Sequence, residues 1–193
     1  MEHETIIKPH SIILGDDNIT LRPMSDNDFG ILLKWNSDSE VLYYSEGNDV
    51  ECYNLEDIQG IYGSTSLTAF CFIIEFEELP IGECWLQKMN LNHIIDKYPH
   101  LDLRRIDLMI GEKEYWGRGI GTRVVKLLTA FGFESEAADM IFFIPYDYNI
   151  RSCRTAERIG YELLGKTEVE DNPKAKFELH YAMTKGNYFS QNP

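Results

Sequence analysis

Glu114 to Leu128 read EYWGRGIGTRVVKLL: Gly117, Gly119 and Gly121 fall within five residues, and an apolar run at helical spacing follows. Glycine enters left-handed backbone conformations at little cost. Such a run therefore either turns the chain into a helix or lets backbone N–H groups close around a phosphate at the helix N-terminus, where aligned peptide dipoles favour negative charge. Beyond the glycines, Ile120, Val124, Leu127, Leu128 and Phe131 recur at i, i+4, i+7, i+8 and i+11, which predicts a helix with one buried face. Arg105 to Ile110 reads as a strand, separated from the first glycine by a six-residue approach.

Two common phosphate-binding patterns fail at this turn. A P-loop of the G-x-x-x-x-G-K-[ST] kind is excluded, because Gly121 is followed by Thr122 and Arg123. A dinucleotide fingerprint is excluded because Val124 stands where the third glycine belongs. What survives is a strand, a short approach, a turn with several consecutive N–H donors, and a helix. That order suits a pyrophosphate held by backbone amides alone.

Composition narrows the function classes. With 193 residues, 44% hydrophobic and 26% charged, the chain can bury one substantial core and is expected to form a single domain, 1–193. No stretch approaches the roughly 20 apolar residues of a membrane span. The opening MEHETIIKPH is acidic and lacks an apolar signal region, so a cytoplasmic location is the default expectation. Cys52, Cys71, Cys84 and Cys153 show no paired spacing and read as buried free thiols. His3, His10, His93, His100 and His180 form no ligand spacing, so no metal site is expected. Eighteen basic against 32 acidic residues give a formal charge of -14, a surface that repels nucleic acid and anionic lipid and attracts polycations.

Strand and helix signals alternate without a repeat or a low-complexity linker. Ile12 to Met24 reads as a hairpin turning at Gly15 to Asn18. Ser25, with Asp28 three residues on, opens a helix carrying Phe29, Leu32, Leu33 and Trp35. Asn54 to Tyr62 reads as a helix with Leu55, Ile58 and Ile61 on one side. Thr68 to Phe76 and Ile81 to Met89 read as strands joined by EELPIG, a turn containing Pro80 and Gly82. Asn90 to Arg104 is expected to be a loop, and Met140 to Ile144 a central strand. Asn149 to Ile159, closed by Gly160, is expected to be a helix, and Tyr161 to Lys166 and Lys176 to Thr184 the last strands.

The glycine stretch resembles the acyl-CoA-binding turn of the GNAT superfamily of N-acetyltransferases, whose pattern is Q/R-x-x-G-x-G/A before a long helix. Gly119 and Gly121 fit the glycine positions, and Trp116 stands at the Q/R position. The later stretch NIRSCRTAERIGYE, Asn149 to Glu162, resembles the family's N-x-x-[SA]-x7-G-[FY] element. The resemblance covers roughly Ile19 to Thr184. It implies an α/β (α+β) fold: a mixed, mostly antiparallel central sheet with splayed strands, flanked by helices. It also implies acetyl-CoA as cosubstrate, with Gly117, Arg118, Gly119, Ile120, Gly121 and Thr122 around the phosphates. Asn149 and Arg154 would serve the same ligand, and a main-chain N–H near Leu108, Met109 and Ile110 would polarise the thioester.

RRIDLMIGEKEYWGRGIGTRVVKLL, with SDSEVLYYSEG and LPIGECWLQ, looks like the aminoglycoside 6'-N-acetyltransferase branch. In that branch an aspartate on the strand before the glycine turn sits beside the amine, and Asp107 matches it. An ammonium must lose a proton before its lone pair can attack a thioester, and a nearby carboxylate can hold it and take that proton. Tyr44, Glu83, Trp85, Asp102 and Asp147 are the further candidates for a cationic acceptor. Three positions depart from the branch. Tyr43-Tyr44-Ser45-Glu46-Gly47 replaces a Gly-Gly pair, and Ile144 replaces a second aspartate, with Asp147 close by. Ala156 replaces the tyrosine that often protonates the leaving thiolate, which leaves that step to solvent, Tyr146 or Tyr148.

The resemblance implies an acetyl-CoA-dependent N-acetyltransferase acting on a small cationic primary amine, the 6'-amine of an aminoglycoside first; the alternatives are a protein N-terminus, a polyamine, a siderophore-precursor amine, or non-catalytic acyl-CoA binding, in a monomer or homodimer. If the acidic surface recruits a polycation, the acceptor's apparent affinity should weaken with salt more steeply than that of an uncharged analogue. Initial rates at low and high ionic strength test this; equal salt dependence would remove the electrostatic argument.

Overall fold

The computed structural model describes residues 6–45, 52–170, 172 and 174–191. The expected features at His3, Glu46 and Gly47 lie outside them. None of the described helices is long and apolar enough to cross a membrane.

Asp17, at φ 47°, turns β1 (Leu14–Asp16) into β2 (Ile19–Pro23). Asp16 faces Ile19, so Gly15 and Asp16 belong to the ladder and the turn is shorter than expected. Ser25 N–H donates to Asp28 Oδ2 at 2.8 Å, and a short 3₁₀ turn runs into α1 (Phe29–Trp35). A helix that no pattern foretold, α2 (Ser39–Ser45), buries Val41 and Leu42. In α3 (Leu55–Ser66), Asn54 Oδ1 accepts from the N–H groups of Glu56 and Asp57 while Asp57 Oδ2 accepts from Asn54 N–H, which pairs the exposed donors of the first turn. Its inner stripe is Ile58 and Tyr62; Leu55, expected on that side, is 46% exposed.

The β3 (Ala69–Phe76) to β4 (Leu79–Lys88) connection corrects a second expectation. Glu77 and Glu78, at φ 51° and 67°, form the turn, because two left-handed residues match the twist of a tight hairpin. Pro80 and Gly82 lie within β4 instead, and Gly82 is required by close approach: a Cβ there would stand 2.2 Å from the Met109 carbonyl oxygen. The expected loop contains a one-turn helix, α4 (Asn92–Ile95), before β5 (Leu103–Ile110).

A 3₁₀ turn (Lys113–Tyr115) leads to α5 (Ile120–Glu134), on which Ile120, Val124, Leu128 and Phe131 are buried. β6 (Met140–Phe143) and α6 (Ile150–Ile159) follow, and Gly160 ends α6 at φ 97°. Then come β7 (Glu162–Glu168), β8 (Phe177–Thr184) and an unforeseen α7 (Lys185–Gln191). β7 also contains most of a stretch with the spelling of a P-loop. Gly160 to Thr167, GYELLGKT, spells G-x-x-x-x-G-K-T, but Gly165, Lys166 and Thr167 lie in a strand paired with β8, and the Lys166 ammonium sits over the Phe177 ring. Among the described residues the next element is a strand, β8, and not a helix that could receive a phosphate.

The eight strands form one sheet in the order β1-β2-β3-β4-β5-β6-β8-β7. β5 and β6 are parallel, while β1–β2, β2–β3, β6–β8 and β7–β8 are antiparallel. The fold is therefore the expected mixed α/β sheet flanked by helices. By contact density the chain divides into Met1–Trp85 with Leu108–Ile120, and Leu86–Asp107 with Gly121–Pro193. The first unit buries Leu32, Trp35, Ile58 and Ile73 in its core; the second packs Ile94, Leu103, Met140 and Phe142 together. Cys71, Cys84 and Cys153 are buried as expected, but Cys52 is exposed.

Alanine at Gly82, or at Gly111, where a Cβ would stand 2.1 Å from Trp35 Cγ, should destabilise the protein by at least about 2 kcal/mol. Gly60→Ala, on α3 with open space around it, should stabilise by about 0.5–1 kcal/mol. Urea midpoints of the three variants check both signs.

Candidate active site

The first unit carries the glycine turn. Trp116 Nε1 donates to the Ile110 carbonyl at 2.7 Å, which ties the approach to the end of β5, and the Tyr44 ring meets Trp116 edge-on at 5.4 Å. Glu112, bonded by the Lys34 ammonium and by Trp35 Nε1, anchors the same segment to α1. Gly117 and Gly119 adopt φ 75° and 78°, and no atom lies within 4 Å of where a Cβ on either would stand. Arg118, exposed between them, lies over the Tyr115 ring. The first turn of α5 holds no acidic residue. In a chain of net charge -14, the stretch from Tyr115 to Phe133 contains Arg118, Arg123 and Lys126 and no carboxylate. Left-handed glycines, open space, orphan helix N–H groups and local positive charge together fit a diphosphate.

Leu108, Met109 and Ile110 follow the point where β5 leaves its parallel partner. The β5–β6 register runs from Leu103 opposite Met140 to Ile106 opposite Phe143 and ends there. β5 continues for four more residues, which places main-chain groups of Asp107 to Ile110 beyond the β6 ladder, as strands that splay must do. Met109 is 7% exposed, its side chain turned into the first unit's core and its carbonyl oxygen close against Gly82.

In the second unit, the first turn of α5 meets the middle of α6, with Thr122 Oγ1 and Thr155 Oγ1 3.4 Å apart. Gly121 is half-buried, and Asn149 Oδ1 accepts from Ser152 N–H as the cap of α6. Arg154 is exposed on that helix, while Ala156 is fully buried and offers no proton donor.

Asp107 belongs to a cluster of charges. Arg105 Nε donates to Asp107 Oδ2 at 2.7 Å and a second guanidinium N–H to Oδ1 at 2.9 Å; Gln87 Nε2 donates to Oδ2 at 3.3 Å. Burial opposes the charge on Arg105, but the Asp107 carboxylate outweighs it, helped by Glu178 and Tyr146, and raises the guanidinium above its ordinary value. Tyr146 and Glu178 themselves form an isolated bridge. Residues 105 and 107 could have been paired from the sequence, because i and i+2 share a face of a strand. Gln87, Tyr146 and Glu178 reach Arg105 or Asp107 only through sheet pairing.

The other acidic candidates are placed differently. Asp102 precedes β5 at its far end, its carboxylate accepting from Arg104 at 2.5 and 3.1 Å and its N–H bonded to Asp139. It does not join Asp107. Asp147 Oδ1 accepts from Lys176 N–H at 3.1 Å and so holds the start of β8. Glu83 is 3% exposed, an interior carboxylate that adds to the effect of burial in pushing the Cys71 thiol up to about 12. Trp85 is half-buried and meets the Tyr62 ring. Among the described residues no group of three or more His, Cys, Asp or Glu side chains could hold a metal ion.

A splayed parallel pair, a left-handed glycine turn at a helix N-terminus and a capped helix after the next strand define an acyl-transferase type of fold. The family model of the acetyltransferase (GNAT) domain matches residues 18–162, and the chain belongs to that family. It is 24% identical over 173 residues to aminoglycoside N(6')-acetyltransferase type 1 of Klebsiella pneumoniae, covering 86% of each chain, and equally to that of Serratia marcescens. Among solved structures it resembles aminoglycoside acetyltransferase AAC(6')-Ib in complex with coenzyme A, at TM-score 0.74 and 21% identity over 91% of this chain and 99% of that one. A GNAT-family acetyltransferase from Bacillus anthracis gives TM-score 0.71 and 18% identity over 91% and 99%.

Valine at Gly119 should be penalised by the left-handed backbone and by its bulk toward the ligand, not by its neighbours in the protein. The acetyl-CoA dissociation constant should rise about tenfold or more, roughly 1.4 kcal/mol. Calorimetry with the folded variant checks this, and unchanged affinity would sink the phosphate-turn assignment.

Proposed function

We propose that this acetyltransferase moves an acetyl group from acetyl-CoA to a primary amine within a ternary complex, with the 6'-amine of an aminoglycoside as the favoured acceptor. The observation that carries the reading is Asp107: a partly exposed carboxylate on β5, at the residue where the ladder to β6 has just ended. The curated relatives supply the acceptor class, and the net charge of -14 agrees with a cationic one. Three elements, β4, β5 and α5, run across the division by contact density, which supports one catalytic domain.

In this reading the glycine turn, from Gly117 to Thr122, and the α6 residues Asn149 and Arg154 hold acetyl-CoA, which supplies the activated acyl carbon. Asp107 holds the acceptor's ammonium and takes its proton, directly or through water. A main-chain N–H of Leu108 to Ile110 meets the carbonyl oxygen as negative charge builds on it. Tyr44 and Trp85 offer aromatic surface to the acceptor; Asp147 and Glu83 contribute field rather than contact, and Asp102 is left out. The burial of Ala156 favours a second reading, a binding module without turnover, because no tyrosine reaches the thiolate from that position.

Asp107→Asn separates the two readings. Turnover on the best amine should fall by on the order of 10² to 10⁴, the range for losing a positioned acid or base, while acetyl-CoA affinity changes little. If Asp107 positions the amine, the loss should lie in KM; if it takes the proton, in kcat with an altered pH profile. Near-normal kcat/KM between pH 6 and 9 would remove Asp107 from the site, and tight CoA binding without turnover of any amine by the unaltered protein would favour the binding module.

A further inference from the structure

The guanidinium of Arg105 has no part in the reaction described above, yet it lies on the carboxylate assigned to the amine. Three of its N–H groups are engaged: two on Asp107, at 2.7 and 2.9 Å, and one on Asn90 Oδ1 at 3.3 Å. A guanidinium carries five N–H donors, so two remain for another acceptor among the described residues. The Arg105 and Asp107 side chains are 21% and 28% exposed, sheltered enough for charge to matter and open enough for a ligand to reach both. Asp107, Arg105 and Glu178 together carry one net negative charge, which suits a single ammonium. An ammonium that shares Asp107 with Arg105 brings the rest of its molecule against the fork. There, a second cation is repelled and an oxygen is met by a donor.

We propose that Arg105 is a specificity residue of the acceptor site, donating to an oxygen of the same molecule whose ammonium Asp107 holds. The site then selects amines flanked by hydroxyl, ring or carboxylate oxygen, as in amino sugars, over oxygen-free alkyl polyamines. The inference rests on the amine-acetylating reading of Asp107, and goes beyond it by separating two acceptor classes that net charge alone treats alike. Arg105 acts on which amine is chosen, whereas Asp107 acts on every amine.

Thiol release from acetyl-CoA is measured for the full chain with 6-amino-6-deoxyglucose, with aminomethylcyclohexane, which keeps a ring and an amine without the oxygens, and with cadaverine. The unaltered protein should prefer the amino sugar at least about tenfold in kcat/KM. Arg105→Met should cut that preference about tenfold, by lowering the rate on the sugar and raising that on cadaverine. A preference unchanged in Arg105→Met, with melting temperature and acetyl-CoA affinity retained, would overturn the proposal. If that variant does not fold, Arg105→Lys keeps the charge without the fork, and a sugar preference that survives it intact overturns the proposal equally. Asp107→Asn should lower all three rates. Should it lower none, the reading of the amine site fails, and the role of Arg105 fails with it.

Discussion

The ladder between β5 and β6 ends at Ile106 and Phe143, and the proposed chemistry depends on that ending. Parallel strands are pinned by slanted hydrogen bonds at every step, so a strand that outlives its partner presents main-chain groups that secondary structure no longer uses. Asp107 is the first residue past the last pair, and Leu108 to Ile110 follow. A ligand can meet those groups as an added strand would, which gives orientation without any dedicated side chain. The short β6, four residues long against the eight of β5, sets where this happens.

Close packing elsewhere keeps that geometry in place. Gly82 and Gly111 bring backbone to backbone and backbone to the Trp35 ring on either side of the β5 terminus, where any Cβ would collide. Glu112, held by Lys34 and Trp35, and Trp116, donating to Ile110, then guide the chain into the glycine turn. The glycines serve two different needs. Gly82 and Gly111 are there for space, Gly117 and Gly119 for left-handed φ.

Charge is distributed against the average. The chain is strongly acidic, yet residues 115–133 are purely basic in their ionisable groups, apart from Tyr115, and α6 adds Arg151, Arg154 and Arg158. An anion can therefore be held by the turn while the remaining surface attracts cations. Asp107 belongs to neither extreme. Its pairing with Arg105 moderates a site that net charge alone would describe as uniformly negative.

Much of this was legible in local sequence. The capped helix from Asn149 to Gly160 and the amphipathic stripe of α5 depend on neighbours three to eight residues apart, and their periodicity is visible in the chain itself. The diphosphate-type turn and the family resemblance follow from the same short range. Turn chemistry was less secure. Glu77 and Glu78 adopt left-handed φ without glycine, while the Pro80 and Gly82 that advertised a turn lie inside a strand. The Gly160 to Thr167 string is a phosphate motif only on paper, because a strand occupies it. Only tertiary structure could sort the carboxylates. Asp102 and Asp107 are five residues apart on one segment, but strand rise sends them to opposite ends, one to Arg104 and Asp139, the other to Arg105 and Gln87. Those partners come from different strands and loops, and a side chain's electrostatic surroundings depend on distance in space, which the order of residues does not specify.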